Sequence, residues 1–170
     1  RVVMKKFLAM SILAACSSSV FADVNYSLAI TEPEHHLGNV SVEFPETAQA
    51  HLDVKLPAWR TGRYEILNLA NGVRFFDAKD DDGKPLKWEK IDHSTWRVHL
   101  NEPTHVNIDY QVYANELGKR ARHIDDSHAF IDASGFFMFS ESFRQDPVTV
   151  KLDVPKAWRS VSGMENAGSK

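Results

Sequence analysis

The sequence predicts an all-β fold, an antiparallel β-sandwich of short strands with at most one short helical turn. Three observations carry that prediction. Apolar residues recur with a period of two over six separate runs, which puts one set of side chains on one face of a half-buried strand. Turn-forming clusters divide the runs at short intervals: Glu32-Pro33, Phe44-Pro45-Glu46, Asp82-Gly83, Asn101-Glu102-Pro103 and Asp146-Pro147. No segment holds a long 3.6-residue period, and Ile66 to Asn71 supports one helical turn at most.

The chain has 170 residues, of which the first 22 read as an export signal rather than as fold. Met4 is a plausible start, so residues 1–3 lie upstream of it. Lys5 and Lys6 form a basic head, Phe7 to Ala15 a short apolar run, and Val20-Phe21-Ala22 a small-residue cleavage site before Asp23. The apolar run is far shorter than the ~20 residues that cross a bilayer, so no transmembrane span is expected. Leu13-Ala14-Ala15-Cys16 offers an alternative, a lipid anchor at Cys16. Either route predicts an exported protein, periplasmic or secreted.

The predicted strands follow in order. Val24, Tyr26, Leu28 and Ile30 alternate with polar residues, then Val40, Val42 and Phe44, then Leu52, Val54 and Leu56. Trp96, Val98 and Leu100 come next, then Val106, Ile108, Tyr110 and Val112, and last Val148, Val150, Leu152 and Val154. One-sided burial of this kind belongs to antiparallel sheets. Phe136-Phe137-Met138-Phe139 is apolar on both faces and predicts a strand buried on both sides, or an interaction patch if exposed. The sandwich is expected over residues 23–160. Residues 161–170 are polar and aperiodic, and read as a linker or the start of a further domain.

Charge and cysteine content narrow the function. The net charge is −3, and it becomes more negative once Arg1, Lys5 and Lys6 leave with the signal. An acidic domain without a basic run repels phosphate backbones, so nucleic acid is excluded as a partner. The single cysteine, Cys16, lies in the signal, so the remaining ~150 residues depend on a hydrophobic core.

Motifs for chemistry are sparse. A zinc-peptidase helix carries His-Glu-x-x-His, and none of the eight histidines is followed by Glu. His123-Ile124-Asp125-Asp126-Ser127-His128 has the wrong spacing for that helix, and its histidines are expected to be solvated loop residues. Asp80-Asp81-Asp82-Gly83 resembles a calcium loop, but Ala78 stands at the first ligand position, and Asp-Gly between alternating runs predicts a hairpin instead. No Gly-x-Ser-x-Gly elbow or glycine-rich phosphate loop is present. Ser162-Gly163-Met164-Glu165-Asn166 approaches the Gly-x-Met-Glu-Asn amine-recognition motif of zinc aminopeptidases, with Ser162 in place of Gly. These residues assign no catalytic and no metal-binding role. The four tryptophans suit either a core or a sugar-binding platform.

One block is distinctive: Leu56-Pro57-Ala58-Trp59-Arg60-Thr61-Gly62-Arg63-Tyr64-Glu65. With Asn68 to Val73, Asp80 to Leu86 and Asp92 to Val98, it resembles the N-terminal domain of metallopeptidase family sixty-one, the glycyl aminopeptidases. Thr61 departs from the Pro usual before the Gly. The structural signature is Trp59, Gly62, Tyr64 and Trp96, with Trp59, Tyr64 and Trp96 expected in the core. The resemblance implies a non-catalytic β-domain that packs against a C-terminal thermolysin-like catalytic domain and shapes its peptide cleft. It implies zinc for the full-length enzyme and no cofactor for this fragment. A His-Glu-x-x-His is then expected roughly one domain, on the order of 100–200 residues, beyond Lys170. Ile131-Asp132-Ala133-Ser134-Gly135 resembles a family loop, which makes Asp132, Ser134 and Gly135 the candidate cleft-facing residues. The alternative from another class is a stand-alone periplasmic β-sandwich module that binds peptide or glycan.

Overall fold

A computed structural model describes residues 23–58, 66–116 and 122–166. The signal-peptide expectation for residues 1–22 and the signature residues Trp59, Gly62 and Tyr64 lie outside these.

Ten strands form. They are β1 (Val24–Ala29), β2 (Leu37–Thr47), β3 (His51–Lys55), β4 (Val73–Lys79), β5 (Trp88–Lys90), β6 (Thr95–His99), β7 (Thr104–Tyr113), β8 (His123–Ile124), β9 (Ala129–Phe130) and β10 (Val148–Asp153). The one α-helix among the described residues is a single turn, α1 (Ala133–Phe136), and three short 3-10 turns accompany it there. A five-stranded sheet runs in the order β10-β1-β2-β7-β4, and a three-stranded sheet in the order β3-β6-β5. β8 and β9 make a separate two-stranded hairpin.

The alternation read from sequence becomes the two inner faces. Along β7, Val106, Ile108, Tyr110 and Val112 are buried, while the residues between them are half-buried. Leu28, Val40, Val42, Phe44 and Ala78 add to that face, and Leu52, Val54, Trp96 and Val98 supply the opposing one. All join one continuous hydrophobic cluster. Trp96 stacks on Phe76 with centroids 5.5 Å apart, and Trp88 meets the edge of Phe76 at 4.9 Å. The expectation that Trp96 is core holds, at 4% exposure.

The structure refines the antiparallel expectation at one edge. β10 pairs with β1 in parallel, Val24 opposite Val148 and Leu28 opposite Leu152, while all other strand pairs are antiparallel. The alternation in β10 was legible from sequence, but direction is set by where the chain re-enters the sheet. Two strands, β4 and β5, gave no clean alternation. β4 carries a bulge between Arg74 and Asp77, with Phe75 at φ 51°, and β5 is three exposed residues at an edge. In β2 the register slips between Phe44 and Thr47. Pro45 sits there, where a residue without an N–H disrupts the ladder least.

The Asp80–Gly83 segment is a hairpin turn, as its sequence indicates. Asp80 Oδ1 accepts from the N–H groups of Asp82 (3.0 Å) and Lys84 (2.8 Å), and Gly83 adopts φ 76°. The left-handed conformation explains the glycine.

The aromatic run is a correction. Phe136 to Phe139 does not form a strand buried on both sides. Phe136 ends α1, and of the following residues only Phe139 makes a bridge, to Lys55 at the edge of β3. Phe136 and Met138 are fully buried, while Phe137 and Phe139 are half-buried. The segment is apolar because it plugs one end of the sandwich. Tyrosine hydroxyls of the larger sheet serve Phe136 O and the Met138 backbone, and only Phe139 pairs with a strand, through both of its backbone groups to Lys55.

Candidate functional site

Asp132, Ser134 and Gly135 lie on the connection from β9 into α1. Asp132 stands just before the helix in extended conformation, and its backbone oxygen accepts from Gly135 N–H at 2.8 Å. The Ser134 hydroxyl donates to Asp132 Oδ2 at 2.8 Å. Both side chains line an open cleft of about 1030 Å³. Val24, Tyr26 and Phe44 of the larger sheet lie at its base. Its walls come from Leu56 and Pro57 after β3, from Ser94 and Thr95 before β6, and from Glu141 and Arg144. The structure therefore brings Asp132 and Ser134 to a cleft but buries Gly135 beneath them. Gly135 contributes its carbonyl to the support of the loop.

That support comes from Arg122, which no sequence motif singles out. Arg122 is only 4% exposed. Its Nη1 donates to Leu69 O at 2.7 Å and to Gly135 O at 3.2 Å, and its Nε to Glu116 Oε1 at 3.3 Å. One guanidinium thus joins the 3-10 turn Leu69–Gly72 to α1. The planar fork lets Nη1 serve both carbonyls while Nε holds Glu116, a set of bonds that the single nitrogen of an ammonium does not match. Gly72 permits this approach: a Cβ there would stand 2.5 Å from Arg122 Nη2.

Two tyrosines hold the other side. Tyr110 donates to Phe136 O at 2.6 Å and accepts from Met138 N–H at 2.9 Å. Tyr26 donates to Met138 O at 2.7 Å, and its ring meets Phe137 edge-on at 5.2 Å. Burial pushes the Tyr26 hydroxyl up to about 12 from 10.0, and it moves Tyr110 upward as well. A raised folded-state pKa leaves the stabilisation intact below the unfolded value of about 10 and removes it as pH rises through the folded value. Urea midpoints are therefore expected to fall between pH 10 and about 12, and Tyr26→Phe is expected to flatten part of that fall.

Charge at the cleft rim is paired. Glu141 binds Lys55 Nζ at 2.9 Å and Arg144 Nη1 at 3.1 Å. The Lys55 hydrogen bond, with that of Arg144, holds the Glu141 carboxyl below its ordinary range. Lys55 and Arg144 both lie over the Phe139 ring, at 5.3 and 5.8 Å. Away from the cleft, Arg97 grips Asp53 across the outer face of the smaller sheet at 2.7 and 2.8 Å, lowering the Asp53 pKa by hydrogen bonding.

The expectation of solvated loop histidines needs correcting at one position. His128 is exposed at a turn, but His123 is a buried residue of β8. Short strands of two residues carry no alternation from which that burial could be read. Residues 162–166, the Gly-x-Met-Glu-Asn-like segment, are exposed, and Ser162 Oγ accepts from Met164 N–H at 3.1 Å.

The sequence matches a family model described as the peptidase M61 N-terminal domain, over residues 25–170. The chain belongs to the peptidase M61 N-terminal domain family. Among solved structures, this M61 domain is similar to an aminopeptidase N family protein from Idiomarina loihiensis. The TM-score is 0.72 at 24% identity, over 78% of this chain and 22% of that one. It is also similar to an M1 zinc metallopeptidase from Deinococcus radiodurans, with a TM-score of 0.46 and 16% identity, over 86% of this chain and 36% of that one. The M61 domain thus spans about a fifth to a third of the length of these proteins. A comparison with curated proteins found no match. Among the described residues, no helix is long and apolar enough to cross a membrane.

Proposed function

We propose that this M61 domain is the non-catalytic N-terminal part of an exported, zinc-dependent aminopeptidase of the glycyl type, and that it forms one wall of the substrate cleft. The observation that carries the reading is the Asp132–Ser134 edge of an open cleft, held from beneath by Arg122, in a chain of this family. An aminopeptidase substrate presents a protonated amine, and a carboxylate on a rigid loop suits such a group. Residues 23–160 form the domain, and 161–170 lead toward the catalytic domain. Residues 1–22 direct export.

Zinc, when bound in the catalytic domain, activates water for attack on the peptide carbonyl. The chain's 170 residues contain no His-Glu-x-x-His to hold that ion, so no catalytic step falls to them. Their part is to position the catalytic domain and the peptide.

In the enzyme joined to its catalytic domain, Asp132→Ala is expected to lower kcat/KM for Gly- and Ala-initiated peptides about tenfold, or ~1.4 kcal/mol. Zinc content, measured alongside, is expected to stay at the wild-type level. Kinetics unchanged by the substitution would sink the reading.

A further inference from the structure

We propose that His123, Asp125 and His128 form a binding site for a transition-metal dication of the zinc type, on the β8–β9 hairpin. The inference does not depend on the peptidase reading, and the site shares no residue with the cleft.

The hairpin itself assembles the three groups. Asp125 N–H donates to His128 O at 3.0 Å, closing a tight turn between β8 and β9. Asp125 Oδ1 accepts from Ser127 N–H (2.8 Å), the Ser127 hydroxyl (2.7 Å) and His128 N–H (2.9 Å), which makes the turn rigid. One potential ligand atom from each of His123, Asp125 and His128 lies within 4.8 Å of the others. His123 Nε2 stands 2.9 Å from Asp125 Oδ2, and His128 Nδ1 stands 3.3 Å from Asp125 Oδ1. The two imidazole centroids are 5.3 Å apart. Groups already this close need little movement to close on one ion.

A second observation singles out this cluster. His123 is only 8% exposed, and its Nδ1 is buried without a hydrogen-bond partner. Leaving a buried imidazole nitrogen unserved costs about 1–3 kcal/mol, and a native structure usually has a reason for each such atom. The hairpin's own hydrogen bonds serve Nε2 and leave the ring half satisfied. A dication is taken at Nε2, the ring nitrogen that faces the cluster at 2.9 Å from Asp125 Oδ2, and its binding offsets the cost of holding the ring with Nδ1 unserved. His128 supplies the second imidazole from the solvent side, where its side chain is 63% exposed. Water fills the remaining positions.

The donor set selects the ion. Two imidazoles with one carboxylate suit zinc, nickel or copper, whereas calcium and magnesium require oxygen-rich cages. The electrostatics agree, since Asp125 supplies a negative charge held in place by its turn.

The test is calorimetric titration of the 170-residue chain with zinc after chelator treatment, with magnesium as the comparison ion. One saturable equivalent of zinc and none of magnesium is expected. His128→Ala is expected to weaken zinc binding at least tenfold, and its exposed side chain can be removed without disturbing the core. Zinc is also expected to raise the melting temperature of the wild type and not of His128→Ala. His93→Ala, at an exposed position in the turn before β6, serves as the control and is expected to bind like the wild type. Absence of saturable zinc binding, or equal affinity in wild type and His128→Ala, overturns the proposal.

Discussion

Arg122→Ala is expected to destabilise the domain by about 3–5 kcal/mol, the sum of two unpaired carbonyls and a cavity where the buried stem was. The oxygens of Leu69 and Gly135 lose the Nη1 donor that they share. Neither lies where water readily replaces it, since both residues are buried. Arg122→Met separates the two contributions, because it keeps much of the stem and removes only the donors. It is expected to cost about half as much. Arg122→Lys is expected to fall near the methionine variant, because an ammonium cannot reproduce the fork. Urea denaturation of the three variants checks the series. A loss below about 1 kcal/mol for Arg122→Ala, the usual range for a surface change, would show that the guanidinium is not the tie between the Leu69–Gly72 turn and α1.

Tyr110→Phe is the second large effect, at about 2–4 kcal/mol. The substitution deletes one oxygen and leaves the ring in place, so the cost isolates hydrogen bonding. Two backbone groups lose partners together: Phe136 O at 2.6 Å and Met138 N–H at 2.9 Å. Tyr26→Phe removes one bond, to Met138 O, and is expected to cost about 1–2 kcal/mol. The two hydroxyls act on neighbouring parts of one segment, so the double variant is expected to depart from additivity. Differential scanning calorimetry reads all three, since about 1 kcal/mol shifts the melting point of a chain this size by ~2–4 °C. Equal losses for the two single variants would contradict the assignment of two bonds to Tyr110 and one to Tyr26.

Under the proposed function, these effects reach activity through Asp132. The loop that carries it is anchored from below by Arg122 through Gly135 and from the far side by Tyr110 through Phe136. Weakening either anchor is expected to blur the cleft edge before the sandwich itself unfolds. The M61 domain therefore offers a rigid wall built from a short irregular segment, not from a strand.

Five strands, β1, β2, β3, β6 and β7, were legible because each has one face against the core, and a two-residue period records that directly; β10 carries the same period, yet its Val148 and Leu152 are exposed at the sheet edge. β7 is the clearest case, with Val106 through Val112 inward. β4 and β5 were not legible. β5 is three exposed residues, too short to show alternation, and the bulge at Phe75 breaks the alternation of β4. The Phe136–Phe139 run misled for a related reason. Full burial reports that a segment is inside and says nothing of whether its backbone bonds to a strand or to tyrosine hydroxyls.

The candidate site divides in the same way. Asp132, Ser134 and Gly135 were found through family resemblance. Only the coordinates separate the first two, which line the cleft, from Gly135, which is buried under it. Arg122 left no trace in the sequence, because a lone arginine outside a motif has no spacing to read. His123 is a similar case, since a two-residue strand cannot show which way its side chains face.

The sequence by itself determined that this is an all-β domain with a one-sided alternating core and a family signature around Trp96. Those properties are local, written in residue order and in side-chain type. Only the tertiary structure decided which polar groups go inward together: Arg122 with two carbonyls, and Tyr26 and Tyr110 with the Phe136–Met138 backbone. Buried polar groups require partners, and those partners come from segments 26 to 112 residues away for the tyrosines. Contacts at that range depend on how the two sheets close on each other, which no local pattern encodes.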